Sequence, residues 1–336
     1  MTEMATLTQD FERDTERFRR ELLAHCYQMV GSVHDAEDLV QETMLRAWRA
    51  RDQYDGSRAS LRTWLHKIAT NACLSALAGR ARRPLPAAIG SPGDNPEGPL
   101  TGGFEVPWVQ PFPDAMLGTD PAAALLTSGR LRLALIAAMQ LLPPRQRAIL
   151  ILREVLALPA AEVADILATT PAAVNSGLQR ARARLADAGV DEEQIGQPAD
   201  SGSRAVIERY IKAFEQADVE GLKRLLADEA ILEMPPFLNW YRGRAEYARF
   251  IARVFSTTGR DWRMLPVAAN GQPGIAQYLR GPAGDYLLYT LQVFAVSRER
   301  IVRTTVYTDQ AVFDRFGLAA TIAGGSGGSS PQADTA

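Results

Sequence analysis

The chain has 336 residues, 37 basic against 39 acidic side chains and an apolar fraction of 46%. That is enough for two or three domains with buried cores, and it excludes a disordered or fibrous protein. Only two cysteines occur, Cys26 and Cys73, far apart in the sequence, and no cysteine or histidine follows position 73. A disulfide framework, a Cys/His zinc site and histidine acid–base chemistry in the later chain are thereby excluded, no metal or cofactor is expected, and the compartment reads as reducing and cytoplasmic. No uncharged apolar run approaches the ~20 residues of a bilayer span, so no membrane contact is expected.

The net charge of −2 hides a partition. Residues 1–43 carry 10 acids and 4 bases, 44–83 carry 2 and 9, 84–129 carry 5 and none, and 130–190 carry 4 and 8. Alternating acidic and basic blocks suit one polyanion contacted twice and a protein partner contacted as well.

From Phe18, the spacing of Leu22, Leu23, Cys26, Met29 and Val30 predicts an amphipathic helix that Gly31 stops. Ser32 and Asp35 then make a capping-box-like start for a second helix running to about Arg51. Leu39, Thr43, Ala47 and Trp48 face inward, leaving Asp38, Gln41, Glu42 and Arg49 outward, a carboxylate surface open to a basic partner. After the Asp55-Gly56 turn, a third helix begins at Leu61, passes through Asn71 and ends near Arg80–Arg83. Residues 10–83 therefore read as an all-helical bundle. In its third helix Arg62, Lys67, Arg80, Arg82 and Arg83, with Arg58, form the mixture of cationic and polar groups that grips a single strand by its phosphates while bases unstack. Trp64 lies on the apolar stripe and reads as core. Asn71 is placed on the turn that ends this helix, where it serves either to bind an extruded base or to cap.

Residues 84–129 hold nine of the twenty prolines and no lysine or arginine, the composition of an acidic Pro/Gly-rich linker. Within it, Trp108-Val109-Gln110-Pro111-Phe112-Pro113-Asp114 is too aromatic for an inert spacer and either folds against its own domains or meets a partner. Residues 130–190 return to helix, with a break at Pro143-Pro144, a helix from Pro159 to Leu167, a short turn, and a last helix opening at Pro171. This is an all-α helix-turn-helix. Val163, Ala164, Leu167, Val174 and Leu178 close its core, while Asn175, Ser176, Gln179, Arg180, Arg182 and Arg184 occupy the open side. Arginines there reach phosphates, and Asn175 and Gln179, one turn apart, can pair with adenine edges in the major groove.

A third domain, residues 203–318, changes rhythm. Helical stripes at 206–214 and 222–226 precede a Met234-Pro235-Pro236 break, a helix at about 243–255 and strands near 261–269, 274–280, 285–296 and 300–309, an α+β pattern. Residues 319–336, Gly/Ser-rich, read as a disordered tail.

The run Ala36-Glu37-Asp38-Leu39-Val40-Gln41-Glu42-Thr43-Met44-Leu45-Arg46-Ala47-Trp48, followed by Leu61-Arg62-Thr63-Trp64-Leu65 and Ile68-Ala69-Thr70-Asn71, resembles region 2 of extracytoplasmic-function (ECF) sigma factors. Leu141-Leu142-Pro143-Pro144-Arg145-Gln146-Arg147 through Arg184 resembles their region 4, and the third domain resembles the SnoaL-like, NTF2-type cone fused to one ECF subset, with Met234-Pro235-Pro236 and Trp240-Tyr241-Arg242-Gly243-Arg244 carrying the likeness. The resemblance implies a transcription initiation factor whose Asp38, Gln41 and Glu42 dock on core RNA polymerase. It further implies that Arg62, Lys67, Asn71, Arg80, Arg82 and Arg83 serve the melted −10 element and that the 175–184 face reads the −35 element of promoter DNA. Asn175 and Gly177 stand where many relatives carry arginine.

The cone fold also houses isomerases and cyclases, but this domain has no histidine, and Glu233, Asp261, Asp285, Tyr278 and Tyr289 each lie beside or within a strand. No catalysis is expected. Trp240, Tyr241, Arg242 and Arg244 read as a regulatory contact surface or pocket rim, open to a small ligand, through which the domain modulates the factor in cis. The alternatives are a polymerase-independent helix-turn-helix regulator and a DNA-binding protein fused to an active isomerase or cyclase.

Overall fold

A computed structural model of the chain describes residues 11–118, 131–187 and 201–324. The first helical unit is α1 (Arg19–Val30), α2 (Val33–Arg49) and α3 (Leu61–Leu77). Gly31 ends α1 in the left-handed region at φ 69°, which only glycine adopts freely. The Ser32 hydroxyl accepts from the Asp35 amide to start α2, and Ser60 likewise accepts from Thr63 to start α3. α3 stops at Leu77, so Arg80–Arg83 lie beyond it rather than on its last turn.

The second helical unit is α4 (Leu133–Gln140), α5 (Pro144–Leu150) continuing into a π-turn at Ile151–Val155, α6 (Ala160–Ile166) and α7 (Pro171–Asp187). The third unit contains α8 (Ser201–Glu215), α9 (Val219–Leu225), β1 (Leu226–Glu233), β2 (Trp240–Arg242), α10 (Arg244–Thr258), β3 (Trp262–Ala269), β4 (Gln272–Arg280), β5 (Tyr286–Ser297), β6 (Arg300–Tyr307), α11 (Gln310–Arg315) and β7 (Thr321–Ile322). The strands form one sheet in the order β2-β1-β6-β5-β4-β3 with β7 against β5, antiparallel except for β1 beside β6.

Two expectations fail in this unit. Leu226, expected to continue a helical stripe, opens strand β1, whose Ala and Glu content favours helix; pairing on both sides, to β2 and β6, overrides that propensity. The tail expected from residue 319 does not begin there, because Thr321 and Ile322 pair with Leu287 and Tyr286; residues 325–336 lie outside the described residues.

The linker, described over 84–118, is not a free spacer. Leu85, Val109, Phe112 and Leu117 are buried in the same apolar core as the helices of both units. That core also takes in Leu291, Val293 and Tyr307 from one face of the sheet and Val312 and Phe313 from α11. The other face of the sheet packs on α8, α9 and α10 around Tyr210, Phe214, Tyr247, Phe294 and Trp262. Both faces of the sheet are therefore covered, one by α8, α9 and α10 and the other by α11 together with the rest of the chain.

Candidate nucleic-acid and polymerase interface

α7 begins after Thr170, whose hydroxyl accepts from the Ala173 amide, with Pro171 in its first turn. Val174, Gly177, Leu178, Ala181 and Leu185 form its buried stripe, so Asn175, Ser176, Gln179, Arg180, Arg182 and Arg184 are exposed together on the opposite side. A Cβ at Gly177 would sit 2.5 Å from the Ile149 Cδ1 atom, so this glycine permits the close approach of α5 and α7. Arg182 is paired with Glu154 at 2.6 Å. Such an exposed pair contributes little and leaves the side chain exchangeable.

In the first unit, Lys67 and Asn71 are exposed on α3. Asn71 lies within the helix, six residues before its end, so it is not a cap; that part of the expectation is corrected. The basic residues divide. Arg62 donates through Nε to Glu21 at 2.6 Å, and Glu21 is buried, so this guanidinium is a clamp between α3 and α1. Arg80 and Arg83 both reach Asp35 Oδ2, at 3.2 and 2.9 Å, and Arg83 also donates to the Trp108 carbonyl of the linker. Arg82 is exposed with no hydrogen-bond or ion-pair partner among the described residues. Trp64 is half-buried against Phe11 and Tyr54, consistent with its place on the apolar stripe.

Behind this face, His25 and His66 meet edge to face with ring centroids 5.2 Å apart, His25 bonded to Thr70 and His66 to the Arg62 carbonyl. Burial pushes both imidazoles below the ordinary histidine range. Cys26 and Cys73 also meet there, and the hydrogen bond with Cys73, together with burial, pushes the Cys26 thiol up, which keeps it unreactive.

On α2, Asp38 and Gln41 are exposed and Glu42 is held by Arg46 at 2.6 Å. One turn away, Glu37 is ion-paired to Arg315 of α11, and Arg315 also contacts His34 Nδ1. The third unit therefore covers the edge of this acidic face.

Of the four residues expected on the cone's contact surface, two make contact. Trp240 is buried, its indole donating to the Gly90 carbonyl and its own carbonyl accepting from Gly93, and Tyr241 packs on Gly93. Arg242 is exposed over the Trp240 ring, and Arg244 pairs with Asp228 at 2.5 Å. Nearby, Arg249 holds Glu97 and Arg253 donates to the Pro96 and Gly98 carbonyls.

The groups sequence reasoning missed are those that hold linker, helices and sheet together. Asn270, fully buried at φ 58°, accepts from the Phe112 amide at 2.8 Å and donates to the Tyr27 hydroxyl at 2.8 Å and the Leu131 carbonyl at 2.6 Å. One asparagine thus joins the linker, α1 and the start of the second helical unit to the β3–β4 turn. Beside it Gln272 accepts from the Leu133 amide, and Tyr307 donates to the Val109 carbonyl. Asn270-Gly271 was legible only as a turn. Asparagine tolerates the left-handed conformation, but nothing local reveals what its amide reaches.

The cone's inner face is polar and neutral. Tyr247 donates to Thr304 at 2.7 Å, and Tyr210, Gln292, Gln277 and Thr290 form a continuous hydrogen-bonded row. Burial drives the Tyr210 phenol well up and that of Tyr247 to about 12, so neither exchanges a proton near neutrality. Glu233 is fully buried on the opposite face of the sheet, bonded to Arg303, Thr305 and the Ala87 amide of the linker. Asp261 is exposed and held by Arg280 and Tyr286, whose bonds lower its pKa, the Tyr286 hydroxyl contributing most.

Residues 15–83 match the family model for Sigma-70 region 2, residues 132–185 that for Sigma-70 region 4, and residues 207–304 that for the SnoaL-like domain. Over 313 residues the chain is 46% identical to the ECF RNA polymerase sigma factor SigG of Mycobacterium tuberculosis, covering 92% of this chain and 84% of that one. The chain belongs to the ECF RNA polymerase sigma factor family. It is 28% identical to SigJ of M. tuberculosis over 251 residues, 73% of each chain. The crystal structure of that factor superposes with a TM-score of 0.63 at 22% identity, over 90% of this chain and 98% of the other, and so shares its fold. Among the described residues of this ECF factor, no helix is long and apolar enough to cross a membrane.

Proposed function

We propose that the chain starts transcription as a subunit of RNA polymerase, with its cone acting as a brake on the two helical units and not as an enzyme. In this reading Asp38, Gln41 and Glu42 dock on core polymerase, Lys67, Asn71 and Arg82 meet the opened −10 strand, and Asn175, Gln179 and Arg180 read the −35 duplex. The names −35 and −10 denote positions 25 base pairs apart, roughly 85 Å at about 3.4 Å per base pair. Yet Thr63 of α3 is 3.3 Å from Glu162 of α6, and Arg147 of α5 donates to the Met29 carbonyl of α1. Each DNA-reading helix is about 25 Å long at about 1.5 Å per residue. Two touching units of that size cannot span the promoter, so the compact form must open.

The observation that carries the braking role is the Asn270 junction, which fastens helices and linker to the sheet at a single buried residue. Arg315 on Glu37 adds a contact next to the polymerase-facing acids. The neutral inner face supports the absence of proton-transfer chemistry in the cone. The test is reconstitution with core polymerase on a promoter library. The full chain should select one promoter class only as holoenzyme, Asn175→Ala should change the preferred −35 base pair, and Arg315→Glu should strengthen assembly with core. Tight sequence-specific duplex binding by the isolated chain would instead support a polymerase-independent regulator.

A further inference from the structure

A cleft of about 480 Å³ lies where the two helical units and the linker meet, lined by Arg80, Arg82, Arg83, Asp35, Pro107 and Arg147 among others. It holds four guanidinium groups and one carboxylate. Asp35 already takes both Arg80 and Arg83 on one oxygen. Arg147 is 2% exposed, and every hydrogen bond it makes is to an uncharged acceptor: the carbonyls of Met29, Met139, Gln140 and Leu142 and the Gln140 side-chain oxygen. Burial and the charge of Arg82 pull its pKa down to about 10. Arg80, Arg82 and Arg83 together use three hydrogen bonds out of about fifteen N–H donors. The compact form thus concentrates about three uncompensated positive charges in a recess walled by Val30, Leu77, Leu142 and Pro143, where low polarity strengthens any attraction to an anion.

We propose that this seam is a binding site for a small multiply charged phosphate, either inorganic or carried by a nucleotide. Multidentate guanidinium clusters match phosphate oxygens better than a single carboxylate. The volume falls within the range of small-ligand sites and is too small for a duplex. Its walls come from both helical units, Arg80–Arg83 from the first and Leu142–Arg147 from the second, so an occupant bridges them and favours the compact over the open arrangement. That last effect rests on the opening proposed above; the site itself does not.

Inorganic pyrophosphate and, separately, a nucleoside triphosphate are titrated into the full chain by calorimetry. The expected result is binding tighter than about 1 mM, weakened at least about tenfold in Arg82→Gln. Lys212→Gln, in a separate basic cleft lined by Arg209, Arg224 and Arg298, leaves it unchanged. Equal affinity for the two probes assigns recognition to the phosphates alone; tighter nucleotide binding adds the nucleoside. No binding by the unmodified chain, or binding untouched by Arg82→Gln, overturns the site. Hydrogen exchange then reads the bridge: bound pyrophosphate should slow the amides of Met29–Gly31 and of residues 145–148, and binding without that slowing overturns the bridging. Holoenzyme assembly, measured in parallel without phosphate, reports on the opening independently.

Discussion

The two faces of the cone's sheet differ in what covers them. On the inner face, aromatic rings from α8 and α10 pack against a self-contained row of neutral hydrogen bonds. The outer face instead carries Leu291, Val293 and Tyr307 into a core shared with two helical units and a linker, with the buried Glu233 paired to a half-buried Arg303. Alternation along a strand gives both faces side chains fit for burial, but α8, α9 and α10 all pack on one of them and only the short α11 on the other. The other, stripped of partners, would be an exposed apolar patch, and here the rest of the chain covers it. In this factor the outer face of the sheet is packed against the rest of the chain.

Asn270→Ala is the strongest way to break the contrast. It leaves the Phe112 amide and Leu131 carbonyl buried without partners and puts alanine at φ 58°, so unfolding stability should fall by about 3–5 kcal/mol, read by denaturant titration. A loss under about 1 kcal/mol would mean that the outer-face contact is loose. Glu233→Gln takes the buried carboxylate from a half-buried Arg303 and should cost about 2 kcal/mol, again without touching the inner face.

A pH titration separates the helical side from the cone, because all three histidines lie in the first unit. His25 and His66 have lowered folded-state pKa values, so below pH of about 6.5 the unfolded chain takes up protons that the folded chain refuses. Stability is full above that pH and falls as pH drops, by up to about 1.4 kcal/mol per unit for each proton. His25→Gln should flatten the slope measured from pH 7 to 5; an unchanged slope would place the titrating groups elsewhere. On the inner face, Tyr247→Phe removes one hydrogen bond to Thr304 and should cost about 1 kcal/mol with promoter output unchanged. Arg182→Gln, at an exposed pair, should change stability by less than about 1 kcal/mol while weakening duplex binding and reducing its salt dependence.

Most helices were legible, because α1, α2, α3 and α7 carry apolar spacing, and local start or stop signals such as Ser32, Pro171 and Gly31 bound several of them. The exposed faces followed from the same periodicity, which is why Asp38, Gln41, Asn175 and Gln179 all emerge on open surface. β1 was not legible, since Leu226–Glu233 is composed like a helix and becomes a strand by pairing with β2 and with β6, the latter some seventy residues later. Nor could sequence divide the basic cluster into bound and free members: Arg62, Arg83 and Arg82 look alike until Glu21, Asp35 and Trp108 are brought beside the first two.

By itself the amino-acid sequence determined the order of the three units, the amphipathic faces of their helices and the absence of lysine and arginine from the connector, since all of these depend on neighbours a few positions away. Tertiary structure alone decided that the connector is seated, that the sheet's second face is covered from within the chain, and that Asn270, Arg147 and Arg82 have consequences beyond their own turns or helices. The physical reason is range: periodicity and capping act within one or two turns, whereas a buried amide or guanidinium takes its meaning from carbonyls and charges that folding brings to it from a hundred or more residues away.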